Sequence, residues 1–205
     1  LCADQPYITE DFTAINQQLV HLGGTDQSIT LLPVRTVGVQ GDGRSYSYLA
    51  GISGKADWQE LERLARLVPK KVHKVNRVVY MFGERVVGPI TEITSTHITS
   101  ETLIQLRQAD AIVNEILQQH DLQRSISQVP VILFPVSFGI QGNRSIGIRT
   151  IITRDFMTGV PAVPGRDIPV AVLETIVHRI LKEVSGISRV VYDLTSKPPG
   201  TTEWE

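Results

Sequence analysis

The last nine residues of the chain combine groups that could bind an anion. Their sequence is Lys197-Pro-Pro-Gly-Thr-Thr-Glu-Trp-Glu205. The two prolines restrict the backbone and place the Lys197 ammonium at the start of a stiff segment, and Gly200 then permits a sharp change of direction. Chain ends are usually flexible, so this composition indicates a segment that folds. The residues alone leave two readings open. Either Trp204 docks the tail on the body of the protein, or the tail closes over a bound anion with Lys197 facing phosphate.

A glycine-rich turn around Asp42 is a second candidate. Gly38, Gly41 and Gly43 crowd this turn, which lies between two β-like segments and not at the start of a helix. A hairpin turn is therefore favoured over a phosphate-binding loop. Asp often stabilises such turns through its own side chain, so a binding role for Asp42 is an alternative to a capping role.

Signatures of catalysis are missing from the sequence. It has neither a Walker-type loop nor a Ser-Gly-Gly-x-Asp-Ser loop that could grip pyrophosphate, and Cys2 has no partner arrangement for nucleophilic catalysis. The five histidines lack metal-ligand spacing, which argues against a metal site; they are His21, His73, His97, His120 and His178. Nothing here could activate ATP or hydrolyse glutamine by itself.

The composition is that of an ordinary globular protein. The 205 residues are 41% hydrophobic and 20% charged, with a net charge of −1, which argues against nucleic-acid and anionic-membrane partners. The single cysteine excludes an intrachain disulfide and fits a reducing compartment. No apolar run approaches the roughly 20 residues of a membrane span. The first residues do not resemble a signal peptide and lack an initiator Met, so we read the chain as a piece of a longer cytosolic protein.

The apolar periodicity predicts the elements that must position these groups. A short helix capped by Thr9 comes first, and the segments that follow alternate between β-type and helical patterns. The predicted strands are 29–39, 45–52, 76–82, 129–140, 145–153 and 188–194, and the predicted helices begin at Asp57, at Thr99 or Ser100, and at Ile168.

Two parts of the chain have the same order of predicted helices and strands and also similar amino-acid sequences. Pro33-Val34…Gly38-Val39-Gln40-Gly41-Asp42 is similar to Pro135-Val136…Gly139-Ile140-Gln141-Gly142-Asn143, and Arg77-Val78-Val79-Tyr80 repeats as Arg189-Val190-Val191-Tyr192. We predict an α+β fold of two tandem β-β-α-β modules, 29–98 and 125–205, each a small sheet with a helix on one face, joined by a helix within 99–124. Such small sheets have open edges, which pairing across a two-fold axis would cover. The alternative is one continuous α+β domain whose halves are alike by chance.

The C-terminal sequence resembles that of the glutamine-hydrolysing GMP synthases. The resemblance is carried by Val190-Val191-Tyr192-Asp193-Leu194-Thr195-Ser196 followed by the nine-residue tail, by Thr150–Gly159 with its Asp-Phe-Met-Thr segment, and by Leu32–Arg44. It extends from about Leu31 to Glu205. The duplicated module is similar to the longer, eukaryotic-like form of the family, and the resemblance implies that residues 1–28 are the end of an ATP pyrophosphatase domain.

This resemblance implies a ligase as the full-length protein. The family uses ATP to adenylylate xanthosine monophosphate (XMP), and ammonia from glutamine then displaces AMP to give GMP. The implied ATP and Mg²⁺ sites and the glutaminase lie in upstream domains of the same chain, so this fragment is expected to be inactive alone. Its implied partners are XMP or GMP and a second subunit in a homodimer.

The resemblance also implies binding residues. Lys197 matches the lysine before the two prolines and is expected at the XMP phosphate. Glu203 is expected to accept hydrogen bonds from ligand hydroxyl or ring N–H groups. Asp42 is expected at the ribose hydroxyls, and Gln128 matches a glutamine that precedes a strand in the family. Two weaker candidates complete the set, Arg44 and Thr202.

The duplication divides these candidates between the modules. The second module has Gln128 but carries Asn143 where the acid would be, whereas the first has Asp42 and a glutamine, Gln27, that is one residue out of register. We therefore expect the two modules to share one site. The main alternative is a stand-alone dimerisation or regulatory module without a ligand. An RNA-binding β-α-β domain is disfavoured by the charge balance, although Tyr46 and Tyr48 alternate suitably on a strand.

Overall fold

A computed structural model describes residues 1–41 and 43–205. Asp42 lies outside the described residues. The helices are α1 Phe12–Leu22, α2 Trp58–Lys71, α3 Ser100–Gln119 and α4 Val170–Glu183, with a short 3-10 turn at Leu122–Arg124. The strands are β1 Gln27–Gln40, β2 Gly43–Gly54, β3 Val75–Met81, β4 Val131–Phe134, β5 Arg144–Ile148 and β6 Ile187–Asp193.

The α+β class is confirmed, and the order β-β-α-β occurs twice, as β1-β2-α2-β3 and as β4-β5-α4-β6. The structure differs from the expectation of two small sheets. All six strands form one sheet in the order β1-β2-β3-β6-β5-β4. Within each half the first two strands are antiparallel and the third runs parallel to the second. The domain boundaries at 28, 98 and 124 stay predictions.

The two halves join at an antiparallel pair between β3 and β6. Tyr80 pairs with Tyr192, and on either side Val79 pairs with Asp193 and Met81 with Val191. Tyr80 and Tyr192 are equivalent positions of the repeated Arg-Val-Val-Tyr text, so equivalent residues meet across a local pseudo-two-fold axis. This is the isologous arrangement of a symmetric dimer, formed here within one chain, and it covers the inner edge of each half.

The sheet buries apolar side chains on both faces. All four helices contribute to the larger cluster, which includes Leu19, Ile52, Val113 and Ile176. The opposite face carries a smaller cluster of ten buried residues; these are Leu32, Val34, Leu49, Val79, Met81, Ile132, Phe134, Val136, Val191 and Trp204. The second cluster therefore includes a residue of the C-terminal tail, which makes the tail part of the core.

The second half has shorter strands than the sequence predicted. The strand predicted at 129–140 ends at Phe134, and the one predicted at 145–153 ends at Ile148. Pro135 follows the first strand directly, and Phe138 and Gly139 have φ values of 50° and 86°, which turn the chain away from the sheet. Between Ile148 and Thr153 the chain forms isolated bridges in place of a strand, at Ile151 and Ile152. Apolar residues alternate through 136–140 and recur at Ile151 and Ile152, so the sequence pattern did not mark these strand ends.

Because one sheet runs through both halves, we expect them to unfold together. Ile52 is fully buried in the first half, and Ile52→Ala should lower the free energy of unfolding by about 2–5 kcal/mol. With Trp58 replaced by Phe, the fluorescence of Trp204 reports on unfolding of the tail. Ile52→Ala should shift the urea midpoint of this fluorescence as much as it shifts the midpoint measured by circular dichroism. The exposed Ile104 is the control, since Ile104→Ala should change stability by less than about 0.5 kcal/mol. An unmoved Trp204 midpoint would show that the halves are independent.

Candidate functional site

The C-terminal tail is ordered between the two halves of the protein. Lys197 and Gly159 exchange two backbone hydrogen bonds of 2.8 and 2.9 Å, which ties the start of the tail to the second half. The Val39 N–H donates to the Pro199 carbonyl at 2.7 Å, and the Val37 N–H donates to the Trp204 carbonyl at 2.9 Å. Both of these donors belong to β1 of the first half. The tail therefore bridges the modules and is held like an additional strand.

Trp204 anchors the end of the tail. Its side chain is 2% exposed, and its ring lies 5.4 Å from that of Phe134. A Cβ atom at Gly147 would approach the indole to 3.1 Å, so the bare glycine on β5 makes room for the ring. The docking reading of the tail is confirmed in this respect. It does not exclude the anion-binding reading, because Lys197 lies at the other end of the segment.

A buried ionic cluster lies beneath the tail. Asp193, the last residue of β6, accepts hydrogen bonds at one carboxylate oxygen from Arg77 Nη1 at 2.7 Å and from Trp204 Nε1 at 2.9 Å. Arg149 Nη1 lies 2.8 Å from the same oxygen. The other oxygen accepts from the Thr195 N–H. The three charged side chains are 0% exposed, so two guanidinium groups share one carboxylate and the cluster carries a net positive charge.

Backbone carbonyl groups supply further partners for the two guanidinium groups, whereas Arg77 Nε and Arg149 Nε and Nη2 have no hydrogen-bond partner among the described residues. Arg77 Nη2 donates to the Val37 carbonyl at 3.0 Å and to the Glu203 carbonyl at 2.9 Å, and it reaches Thr201 Oγ1 at 3.3 Å. Arg149 Nη1 also donates to the Thr195 carbonyl at 3.0 Å. Buried charges are costly unless they are paired and hydrogen-bonded. The tail carbonyls therefore stabilise the guanidinium of Arg77, and Arg77 in turn holds the tail.

The cluster perturbs the titration of its members. Burial alone would raise the pKa of Asp193, but the positive charges of Arg149 and Arg77 and the Thr195 hydrogen bonds hold it below its ordinary value. Burial lowers the pKa of Arg77 to about 10, an effect that Asp193 opposes. Both groups therefore stay ionised at neutral pH.

The Lys197 ammonium lies beside the loop 153–159, away from the ionic cluster. It donates to the Phe156 carbonyl at 2.6 Å and to Thr202 Oγ1 at 3.2 Å. The Asp155 carboxylate shapes this loop by accepting the N–H groups of Met157 and Thr158. Two of the sequence candidates, Lys197 and Thr202, are thus in contact. Both acceptors of the ammonium are neutral oxygens.

Gln128 is linked to Lys197 through a series of backbone bridges. Gln128 bridges to Ile151, the adjacent Ile152 bridges to Val160, and Gly159 bridges to Lys197. Gln27, the alternative glutamine, is 6% exposed and donates its side-chain N–H to the Lys55 carbonyl at 3.1 Å. Its amide is committed to the fold, which leaves Gln128 as the better candidate.

The remaining candidates are placed less directly. Glu203 is exposed and lines a cavity of about 270 Å³ whose lining does not include Lys197. Arg44 is exposed and pairs with Val39 near the tip of the β1–β2 hairpin. The candidate Asp42 is outside the described residues.

The hairpin tip nevertheless lies next to the tail. A cavity of about 730 Å³ is bounded by Val39 and Gly41 of the hairpin, by Pro198 and Pro199 of the tail, and by α2. The structure therefore brings the candidate turn of the first module to the candidate tail of the second.

Sequence reasoning missed the ionic cluster. Arg77 and Arg149 stand within or directly after apolar strand segments, where a charged side chain is rarely buried without a partner. These charged residues in or beside apolar segments were the feature of the sequence that could have indicated the cluster. Asp193 directly follows the repeated Arg-Val-Val-Tyr sequence. Among residues 1–41 and 43–205, no group of three or more His, Cys, Asp or Glu side chains could hold a metal ion. None of the helices in this described part is long and apolar enough to cross a bilayer.

Comparison with known proteins gives the family. Residues 114–204 match the family model described as the GMP synthase C-terminal domain. The chain is 43% identical, over an alignment of 248 positions, to the glutamine-hydrolyzing GMP synthase of Dictyostelium discoideum, with 100% of the chain and 34% of that protein covered. It is 41% identical over 197 residues to a probable GMP synthase of Caenorhabditis elegans, with 87% and 26% covered. It is 36% identical over 174 residues to the GMP synthase of Rippkaea orientalis, with 79% and 31% covered.

These matches, together with the α+β fold, give the class of the chain, which is a GMP synthase C-terminal domain. It belongs to the GMP synthase C-terminal domain family and is part of a GMP synthase. The chain spans between a quarter and about a third of the length of these relatives.

Removing the shared carboxylate should destabilise the fold strongly. Asp193→Asn leaves two buried guanidinium groups without a counter-charge, and we expect a loss of about 3–5 kcal/mol in the free energy of unfolding. Asp26 is exposed, and Asp26→Asn is the matched control with an expected change below about 0.5 kcal/mol. Urea denaturation measures both. A loss below about 1 kcal/mol for Asp193→Asn would contradict the central role of this carboxylate.

The same carboxylate should make stability depend on pH in acid. The pKa of Asp193 in the folded protein lies below its ordinary value of 3.8, so its stabilising contribution is fully present above that value. The contribution is lost as the pH falls below 3.8 towards the folded-state pKa. The free energy of unfolding, measured from pH 6 to pH 3, should therefore fall more steeply for the wild type than for Asp193→Asn. Parallel curves for the two proteins would refute this assignment.

Proposed function

We propose that this chain is the XMP-binding region of a glutamine-hydrolysing GMP synthase. The observation that carries the proposal is the environment of Lys197. The Lys197 side chain is half-buried, and its ammonium donates to two neutral oxygens. The ion pairs among the described residues do not include it. A fixed cation without a carboxylate partner keeps its attraction for an anionic ligand, and the phosphate of a mononucleotide is such a group.

The neighbouring candidates suit the other parts of a nucleotide. The Gln128 amide can both donate and accept hydrogen bonds, and the exposed Glu203 carboxylate can accept them from hydroxyl or ring N–H groups. Thr202 contacts Lys197 and supports its position. Arg44 belongs to the β1–β2 hairpin, and Val39 and Gly41 of this hairpin line a cavity with the tail prolines. A ribose-binding role for Asp42, which is outside the described residues, is proposed from the family resemblance alone.

The two modules would then contribute to one site. The bonds from β1 to Pro199 and Trp204 connect the first module to the tail of the second, and these contacts support a shared site. The cavity that Glu203 lines does not include Lys197. We propose that both side chains meet the ligand at a surface completed by the rest of the full-length protein, which corresponds to the region of the relatives that this chain does not span.

The reaction proposed for the whole protein is the ATP-dependent conversion of XMP to GMP with ammonia from glutamine, in the cytosol. The described residues hold no side-chain group that fits a metal ion, so no step of the reaction is assigned to a metal in this region. ATP and Mg²⁺ are proposed to bind in the upstream domains. The chain would contribute binding and orientation of XMP, and alone it would be inactive.

A homodimer remains part of the proposal, and the fold restricts how it could form. The inner strands β3 and β6 already pair with each other, which leaves β1 and β4 as the outer strands of the sheet. The tail already bonds to the outer edge of β1 at Val37 and Val39, so a second copy of the chain would pair with the uncovered parts of these outer strands. The same feature favours the alternative function, a dimerisation or regulatory module without a ligand.

Substitution of Lys197 separates these two functions. In the full-length enzyme, Lys197→Ala should raise the KM for XMP at least tenfold, because a charge-assisted hydrogen bond contributes about 1.5–3 kcal/mol. The control is Lys182→Ala, which removes an exposed lysine of α4 and should leave the KM within twofold. If the isolated chain binds XMP and GMP, calorimetric titration should show that Lys197→Ala weakens the affinity and that Lys182→Ala does not. An unchanged KM in Lys197→Ala would favour the module without a ligand.

A further inference from the structure

Arg77 occupies a position from which it can set the geometry of the whole tail. It belongs to β3 of the first half, yet its guanidinium contacts Asp193 of the second half and the Glu203 carbonyl of the tail. The guanidinium also lies 5.4 Å from the centre of the Trp204 ring, in cation–π geometry. The Arg77 side chain thus contacts both modules and, in the tail, both Glu203 and Trp204.

The contacts of Arg77 surround the tail segment that carries two of the site candidates. Its Nη2 atom reaches the hydroxyl of Thr201 at 3.3 Å and its carbonyl at 3.4 Å, and the Glu203 carbonyl at 2.9 Å. Thr202 and Glu203 are therefore held from beneath by the same guanidinium. Thr202 contacts the Lys197 ammonium, so a displacement of this segment would also disturb Lys197.

The repeat supplies a direct comparison with Arg189. Arg189 is the equivalent residue of the second half, because each arginine is the first residue of the Arg-Val-Val-Tyr text. It lies 4.8 Å from the Phe138 ring and donates to the Glu84 carbonyl at 3.0 Å. Both arginines thus stack on an aromatic ring. Arg77 alone of the two is fully buried against a carboxylate and the tail.

We propose that Arg77 is a positioning residue for XMP binding, which makes the affinity of the second module's tail for the nucleotide depend on the first module. This inference rests on the proposed function. Arg77 does not contact the ligand; it acts through the backbone of residues 201–203 and through Trp204. A lysine cannot replace it, since a single ammonium lacks the planar fork that reaches Asp193, Val37 and Glu203 together.

The test compares Arg77→Lys with Arg189→Lys in the full-length enzyme. Arg77→Lys should raise the KM for XMP about tenfold and leave the KM for ATP within twofold, whereas Arg189→Lys should change neither. A general loss of structure would lower kcat and affect both substrates. Hydrogen exchange gives an independent readout, because the Val37 N–H donates to the Trp204 carbonyl and should exchange faster in Arg77→Lys only.

A milder variant covers the case in which Arg77→Lys does not fold. Thr201→Val keeps the side-chain shape and removes the hydroxyl that contacts Arg77 and the Val37 carbonyl, and it should raise the KM for XMP about threefold to fivefold. Lys197→Ala distinguishes the two levels of the proposal. If Lys197→Ala raises the KM for XMP but Arg77→Lys and Thr201→Val do not, the positioning role is wrong and the binding function stands. If none of the three raises it, the binding function itself fails.

Discussion

The structure depends on a single buried carboxylate. Asp193 ends β6 and receives two guanidinium groups and the Trp204 indole at one oxygen. One arginine comes from each half of the sheet, and the indole comes from the tail, so three separate parts of the chain converge on this atom. Breaking a buried ion pair by removing one partner is strongly destabilising, because the remaining charge cannot be solvated. The cluster therefore imposes one arrangement of the two halves and of the tail, which hydrophobic burial alone does not specify as closely.

The pseudo-two-fold axis explains why this arrangement is possible. Equivalent tyrosines pair at the centre of β3 and β6, and Val79 is the residue that pairs with Asp193. The two modules thus meet as two subunits of an isologous dimer would. Because they are covalently linked, the pairing does not depend on protein concentration. Their sequences can then diverge independently, which identical subunits cannot do.

Much of this architecture could be predicted from the sequence, and the failures have identifiable causes. Apolar periodicity predicted the helices, and the caps at Asp57 and Thr99 are confirmed. The predicted Thr9 cap is wrong, since α1 begins after Asp11, and the last helix begins at Val170 rather than at Ile168. The repeated sequence predicted the recurring β-β-α-β order. The union of both halves in one sheet could not be predicted, because strand pairing between modules depends on which edges meet and leaves no local pattern. The cluster around Asp193 was missed for a related reason, because Arg77 and Asp193 lie more than a hundred residues apart in the sequence. The site residues came from the resemblance of the tail to the family, and their contacts with the ligand stay predictions.

The divergence of the two halves accounts for one tail and one ionic cluster in a duplicated fold. The first half has Met81 at the position equivalent to Asp193, so an arginine at position 189 finds no buried carboxylate there and stacks on Phe138 instead. The second half has Asn143 at the position equivalent to Asp42. Each half therefore carries groups that the other lacks. Neither half could be removed without losing part of the cluster, because the first half supplies Arg77 and the second supplies Asp193, Arg149 and the tail.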